Sequence, residues 1–178
     1  LLPISFYGAS KLACEALVTA FAHNFEMKAW IYRFANIVGS HTTHGAIHDF
    51  IKKLKKNPAE LEILGDGNQR KSYLHVQDCI AGMILGIEKS KAEVNLFNLA
   101  SEGTCTVSQI GDAVIAAMGL NAEKRFTGGS RGWKGDVAYT HLDGTKLEKQ
   151  GFKAKLDSVG AIGFAVREIL ADGEIGIS

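Results

Sequence analysis

Two segments decide the fold: FYGASKLACEALVTAFAHNF, residues 6–25, and AWIYRFANIVG, residues 29–39. Three residues separate them. Apolar side chains in the first segment recur at spacings of three and four, which predicts a helix over 7–25. The apolar, aromatic-rich run 29–34 predicts a buried strand. A helix that leads directly into such a strand is half of a βαβ unit, so we expect an α/β fold. Since no strand pattern precedes the helix, the chain is expected to begin in the middle of a sheet.

The rest of the chain predicts a mixture of helices and strands. Helices are expected over 47–56, 76–89, 106–118, 145–150 and 159–171, and strands over 61–64, 72–74, 94–99 and 123–127. Thr106 and Gln109 fit a capping box at the start of the third helix of this series. In the helix 76–89, the expected buried face carries Ile80, Met83, Ile84 and Ile87.

Composition narrows the class of protein. The chain has 178 residues, of which 46% are hydrophobic and 22% charged, as in one globular domain. Lys and Arg total 20 against 19 Asp and Glu, so no broad surface for nucleic acid or membrane is expected. No apolar run approaches the ~18 residues that span a bilayer, and residues 1–5 carry no signal-peptide pattern. Three scattered cysteines, Cys14, Cys79 and Cys105, indicate a reducing compartment, and we expect a cytoplasmic protein.

The pair Tyr7 and Lys11 is the strongest candidate for chemistry. A spacing of four residues on a helix places the phenol and the ammonium group on one face, within reach of each other. A free tyrosine is a poor base at neutral pH, but a fixed cation nearby favours the phenolate, which accepts a proton from a substrate hydroxyl. The alternative is an ordinary Tyr/Lys pair on a solvated helix face, since this short pattern also arises by chance. The position at the start of a helix that feeds a buried strand favours the catalytic interpretation.

Four segments together resemble the extended short-chain dehydrogenases, in particular the UDP-glucose 4-epimerase branch of the NAD-dependent epimerase/dehydratases. They cover most of the chain and are FYGASKLACE (6–15), YRFANIVG (32–39), GDGNQRKSYLHVQD (65–78) and RGWKGDV (131–137). The resemblance implies the carboxy-terminal part of a Rossmann-type α/β fold, with the end of its parallel sheet and a small mixed α/β substrate domain. Residues 1–40 are then a remnant of the dinucleotide-binding domain, and residues 41–178 are mainly the substrate-binding domain, with some segments returning to the sheet.

The same resemblance implies NAD as the cofactor and a nucleotide-sugar epimerase as the activity. Tyr7 is then the catalytic base and acid and also contacts the cofactor. Lys11 supports Tyr7 and contacts the nicotinamide ribose, and Phe34 lies at the cofactor. A 4,6-dehydratase or a keto-sugar reductase is the alternative within the family. An alternative of another class is a non-catalytic fragment that only binds a nucleotide sugar. The resemblance also implies a homodimer through the helix that carries Tyr7.

For the substrate, the resemblance implies a UDP-sugar or another nucleotide sugar. Asn36 would meet its diphosphate, and Ile47 and Leu64 would lie near its base. The cations expected at the phosphates are Arg70, Lys71 and Arg131. Neighbours on a strand face opposite ways, so the sequence leaves open whether Arg70 or Lys71 points inward. For each cation, an ordinary solvated side chain is the alternative.

Two further patterns carry weaker hypotheses. His41, His44 and His48 have the spacing of a metal cluster, but no acidic partner accompanies them and the resemblance needs no metal, so none is expected. His75 is interpreted as a structural histidine. A pyrophosphate cradle needs a strand, a Gly-rich turn and a helix, and neither Gly65–Gly67 nor the loop 128–135 is expected to provide that context.

Overall fold

The computed structural model describes residues 2–132 and 137–173. Its helices are α1 (Phe6–Asn24), α2 (Ala46–Lys56), α3 (Val76–Lys89), α4 (Val107–Ala117), α5 (Thr145–Glu148) and α6 (Ser158–Asp172). Its strands are β1 (Ala29–Phe34), β2 (Asn36–Val38), β3 (Glu60–Ile63), β4 (Arg70–Lys71), β5 (Tyr73–His75), β6 (Val94–Leu99), β7 (Cys105–Thr106), β8 (Glu123–Phe126) and β9 (Tyr139–Thr140). The long helix followed by a strand is thus present, and the α/β class is confirmed. The strand β1 is half-buried and not buried as predicted, and its last residue, Phe34, is exposed.

A parallel pair of strands forms the first layer of the fold. The strands β1 and β6 are paired from Ala29 opposite Val94 to Phe34 opposite Leu99. The helices α1 and α3 pack against this pair, as crossover helices do in α/β proteins. Phe97 and Leu99 of β6 are almost completely buried, in a core that also contains residues from β5 and α5.

A second core lies among the helices α2, α4 and α6 and the strand β3, whose Leu61 is fully buried. The capping box predicted at the start of α4 is present, because the Thr106 side chain accepts from the backbone N–H of Gln109 while the Gln109 side chain accepts from that of Thr106. The strand β5 separates the two cores. Tyr73 belongs to this second core and Leu74 to the first, since neighbouring side chains on a strand face opposite ways.

The apolar face predicted for α3 is wrong for three of its four residues, since only Met83 packs against the first core. Ile80, Ile84 and Ile87 are each about half exposed, and the side of α3 that packs inward carries small residues. A β-carbon on Gly86 would lie 2.5 Å from the Tyr32 hydroxyl, and one on Gly82 would lie 2.6 Å from a methyl of Leu99. The helix therefore approaches the strands too closely for large side chains, which a count of apolar positions does not reveal.

The second strand predicted at 72–74 is divided in the structure. Ser72 interrupts it, so β4 pairs with β7 and β9, whereas β5 pairs in parallel with β2. The short strands β2, β7 and β9 were not predicted, because two or three residues are too few to show a period. Within the described ranges, no helix is long and apolar enough to cross a membrane. The division of the chain at residue 40 stays a prediction.

Candidate functional site

A cavity of about 640 Å³ opens between β2, the start of α2 and β4. Its walls are mostly apolar, with side chains such as Val38, Phe50 and Ile110. Polar groups at the wall come from Asn36, Thr42, His44, Asp49, Gln69 and Lys71. An apolar cleft with a few polar groups is the usual form of a small-molecule site.

Four of the six residues predicted to bind substrate lie together at this cavity, namely Asn36, Ile47, Leu64 and Lys71. Arg70 and Arg131 are exposed and are not among its described lining residues. Of the two neighbouring cations on β4, the one that faces the cavity is therefore Lys71. Four residues of the loop Arg131–Val137, namely Trp133, Lys134, Gly135 and Asp136, lie outside the described residues.

The side-chain amide of Asn36 has a structural partner. It donates a hydrogen bond to the Ser72 carbonyl oxygen at 3.1 Å, beside the backbone pairing of β2 with β5. This contact fixes the end of β2 at the wall of the cavity. The carbonyl oxygen of the same amide is an acceptor, and the amide nitrogen has a second hydrogen to donate.

Tyr7 and Lys11 occupy neighbouring positions at the start of α1. The Lys11 Nζ atom lies 5.4 Å from the centroid of the Tyr7 ring, so the two side chains share one face as their spacing predicts. Ser5 caps this end of the helix, since its hydroxyl accepts from the Gly8 N–H at 3.0 Å. The Tyr7 side chain is 73% exposed and does not line the described cavity. Phe34, predicted at the cofactor, is also exposed.

An ion pair fastens α1 to β1. The Arg33 guanidinium donates two hydrogen bonds to the Glu15 carboxylate, at 2.8 Å and 2.6 Å. The pKa of Glu15 is held below its usual value chiefly by these hydrogen bonds, against the opposing effect of burial. The same contacts raise the pKa of Arg33. A bidentate pair of this kind restricts both the rotation and the sliding of the helix on the strand.

His41 and His44 lie in the loop before α2, and His48 lies on that helix. Of the residues that the structure describes, no three His, Cys, Asp or Glu side chains are grouped to hold a metal ion. His44 lines the cavity, and partial burial, with a smaller effect of Lys52, lowers the pKa of His48. His75 is buried and hydrogen-bonded to Glu168 at 2.8 Å, which confirms its interpretation as a structural residue.

The residues predicted to contact the cofactor are exposed. Tyr7, Lys11 and Phe34 all present their side chains to solvent, and their contact with NAD stays a prediction. Gly65 and Gly67 follow β3, but the chain then enters the strand β4 and not a helix. Gly65 and Gly67 therefore do not lie in the strand, glycine turn and helix that a pyrophosphate cradle needs.

Comparison with known proteins now shows the family. Residues 1–100 match the model of the NAD dependent epimerase/dehydratase family, which is more than half of the chain. The chain belongs to this family. A crystal structure of a UDP-galactose 4-epimerase superimposes with a TM-score of 0.86 at 34% identity, covering 97% of this chain and 56% of that enzyme.

Two relatives from named organisms are also similar to this chain. The UDP-glucose 4-epimerase of Thermotoga maritima, solved with UDP-glucose, has a TM-score of 0.82 at 26% identity, over 97% of this chain and 56% of that one. A putative UDP-glucose 4-epimerase of Methanocaldococcus jannaschii is 25% identical over 159 residues, 87% of this chain and 50% of that protein. The chain spans about half the length of the relatives that it matches.

Several lining residues were missed by the sequence argument. Thr42, Phe50, Val107 and Ile110 line the cavity but carry no motif. His44, which also lines it, was noted from the sequence only as part of a histidine cluster. Phe50 and Ile110 lie on the buried faces of α2 and α4, so the helical period marks them as core only. Their position at the cavity depends on how the two helices meet, which one sequence does not specify.

Proposed function

We propose that this chain provides the proton-transfer pair and the nucleotide-sugar pocket of an NAD-dependent nucleotide-sugar 4-epimerase. The observation that carries the proposal is the gathering of Asn36, Ile47, Leu64 and Lys71 around one cavity. These residues come from four separate places in the sequence. Apolar walls suit the base and the ring faces, and Lys71 offers a cation to the diphosphate.

The geometry of α1 and β1 supports a role for Tyr7 at the mouth of this cavity. Only residues 25–28 join the two elements, so the helix runs back along the strand. Tyr7 lies eight residues before Glu15, about 12 Å along the helix. Asn36 lies three residues after Arg33, about 10 Å along an extended chain. The Glu15–Arg33 pair fixes the helix at one point along the strand. Measured along the strand from this pair, Tyr7 and Asn36 lie about equally far toward its carboxyl end. Proteins of the α/β class bind ligands at that end of their strands.

In the proposed reaction, the Tyr7 oxygen accepts the proton of the sugar hydroxyl and later returns it. Lys11 places a positive charge beside the phenol ring, with its Nζ atom 5.4 Å from the ring centroid. Removal and return of hydrogen at the sugar carbon is the chemistry that bound NAD supplies. The cavity holds the nucleotide while the sugar presents either face.

A dehydratase or reductase shares the pair and the pocket, so the residues described here suit these reactions as well. The comparisons favour the epimerase, because the enzymes with the highest structural similarity given above are 4-epimerases. A chain that only binds nucleotide sugars is the alternative of another class, since one cavity of this chain contains the pocket residues.

Calorimetry with the 178-residue chain tests the pocket. UDP-galactose and UDP should bind, and a Lys71→Ala variant should bind both more weakly. Turnover is tested in a chimera that joins this chain to the part of UDP-galactose 4-epimerase that it does not span. Interconversion of UDP-galactose and UDP-glucose supports the epimerase. Binding without turnover in that chimera supports the binding fragment, and absence of binding contradicts both.

A further inference from the structure

The loop between β2 and α2 is held in place by one carboxylate of a distant helix. Glu168 lies on α6, and its Oε2 atom accepts hydrogen bonds from the Ser40 backbone N–H at 3.2 Å and from His75 Nε2 at 2.8 Å. Ser40 is separated from Glu168 by 128 positions in the sequence. The loop goes on to line the cavity through Thr42, His44 and Gly45.

Three contacts fix the position of the His75 ring. It is 2% exposed and is the N-cap of α3, where its Nδ1 atom accepts from the Gln77 N–H at 3.4 Å. A ring nitrogen that accepts carries no proton, so Nε2 is the protonated nitrogen and donates to Glu168. The Phe164 ring meets His75 edge-on at 5.0 Å. One orientation of the imidazole is therefore fixed, and with it the position of the Glu168 carboxylate.

Neighbouring residues also constrain the backbone of the loop 39–45. His41 has a φ of 60°, a left-handed conformation that a non-glycine residue adopts at a cost and keeps only where neighbours enforce it. A β-carbon on Gly39 would lie 2.6 Å from a methyl of Val76. The Thr42 hydroxyl donates to the Gly39 carbonyl oxygen at 2.7 Å. Asp172 lies one turn beyond Glu168 on α6, and its Oδ2 atom is 3.9 Å from His41 Nδ1.

We propose that Glu168, oriented by His75, is a positioning residue that holds the loop 39–45 in the form that closes one wall of the nucleotide pocket. Glu168 does not line the cavity itself, so it acts through the Ser40 N–H. The ligand assigned to the pocket rests on the proposed function. The positioning of the loop does not, because it is a property of the chain without ligand.

Hydrogen exchange at the Ser40 amide and binding of UDP test the inference in the same variants. Glu168→Leu removes the acceptor oxygen, and Glu168→Asp shortens the side chain that carries it. Glu168→Gln keeps an acceptor oxygen on a side chain of the same length. We expect Ser40 exchange to accelerate roughly tenfold or more in the Leu and Asp variants and to change little in Gln. UDP affinity should fall by roughly tenfold in the first two variants and stay within about twofold in Gln.

Glu88→Leu, which removes an exposed carboxylate on α3, is the matched control and should leave both readouts unchanged. If the Leu variant does not fold, the Asp variant makes the same test. Unchanged Ser40 exchange in the Leu and Asp variants overturns the positioning role. Faster exchange with unaltered UDP affinity overturns the link to the pocket. If the unaltered chain binds no UDP, the proposed function fails, while the exchange rates still decide whether Glu168 holds the loop.

Discussion

The carboxylate of Glu15 on α1 and the guanidinium of Arg33 on β1 form a two-point ion pair, and the side chains of both residues are partly buried. Of the residues described in α1, Ala22 is the one that is fully buried. The ion pair therefore helps to hold α1, and with it Tyr7, on the strand.

The first prediction concerns pH and the Glu15–Arg33 pair. Because Arg33 lowers the pKa of Glu15 in the folded chain, the carboxylate stabilises the fold above the pKa it has when unfolded, and this contribution is lost as pH falls through the lowered value. Glu15→Gln should lower the free energy of unfolding by about 1–2 kcal/mol at neutral pH. Urea unfolding should show this difference shrinking as the pH falls below the usual titration range of a glutamate carboxyl group. Glu88→Gln, an exposed control, should show no such trend, and a constant difference for Glu15→Gln would count against the pair.

The second prediction separates two neighbouring cations. Lys71 lines the cavity and Arg70 does not, so only the first is placed to contact a diphosphate. Lys71→Ala should weaken UDP binding by roughly tenfold or more, and Arg70→Ala should change it by less than about twofold. Calorimetry on both variants makes the comparison. Equal effects, or a larger effect at Arg70, would reverse the assignment of the inward face of β4.

The third prediction concerns the packing of α3. Alanine favours a helix over glycine by about 1 kcal/mol, yet at Gly82 the added carbon would lie 2.6 Å from Leu99 and 2.8 Å from Phe152. Overpacking should dominate, and Gly82→Ala should destabilise the chain by about 1–3 kcal/mol. In α6, the nearest atom to a β-carbon on Gly163 is 3.7 Å away. Thermal unfolding should therefore find Gly163→Ala neutral or stabilising, and a stabilising Gly82→Ala would show that α3 is less closely packed than described.

The elements that were predicted correctly are those with enough residues to show a period. The helix over 76–89 and the strands 29–34 and 94–99 have the bounds that their patterns indicate. The apolar face of α3 was wrong for three of its four residues, because close contact with β1 and β6 selects glycine, which carries no hydrophobic signal. The two- and three-residue strands depend on partners far along the chain, so their local sequence does not specify them.

The candidate site also contains some residues that the sequence predicted and others that it did not. The family resemblance predicted Asn36 and Lys71 at the substrate, and both line the cavity. The alternation of a strand left Arg70 and Lys71 equivalent until their partners on β7 and β9 were known. Glu168 was not found at all, since its partners Ser40 and His75 lie 128 and 93 positions away.

The role of Tyr7 is tested most simply by the rate of sugar interconversion in the chimera with UDP-galactose 4-epimerase when Tyr7 is changed to Phe. Tyr7 is 73% exposed, so the loss of its hydroxyl should leave folding intact, and NAD binding should be largely retained. Tyr139→Phe, at a tyrosine that is 63% exposed, is the matched control and should keep full activity. We expect a rate lower by about 10²–10⁴-fold for Tyr7→Phe alone, and an undiminished rate in that variant would refute Tyr7 as the proton acceptor.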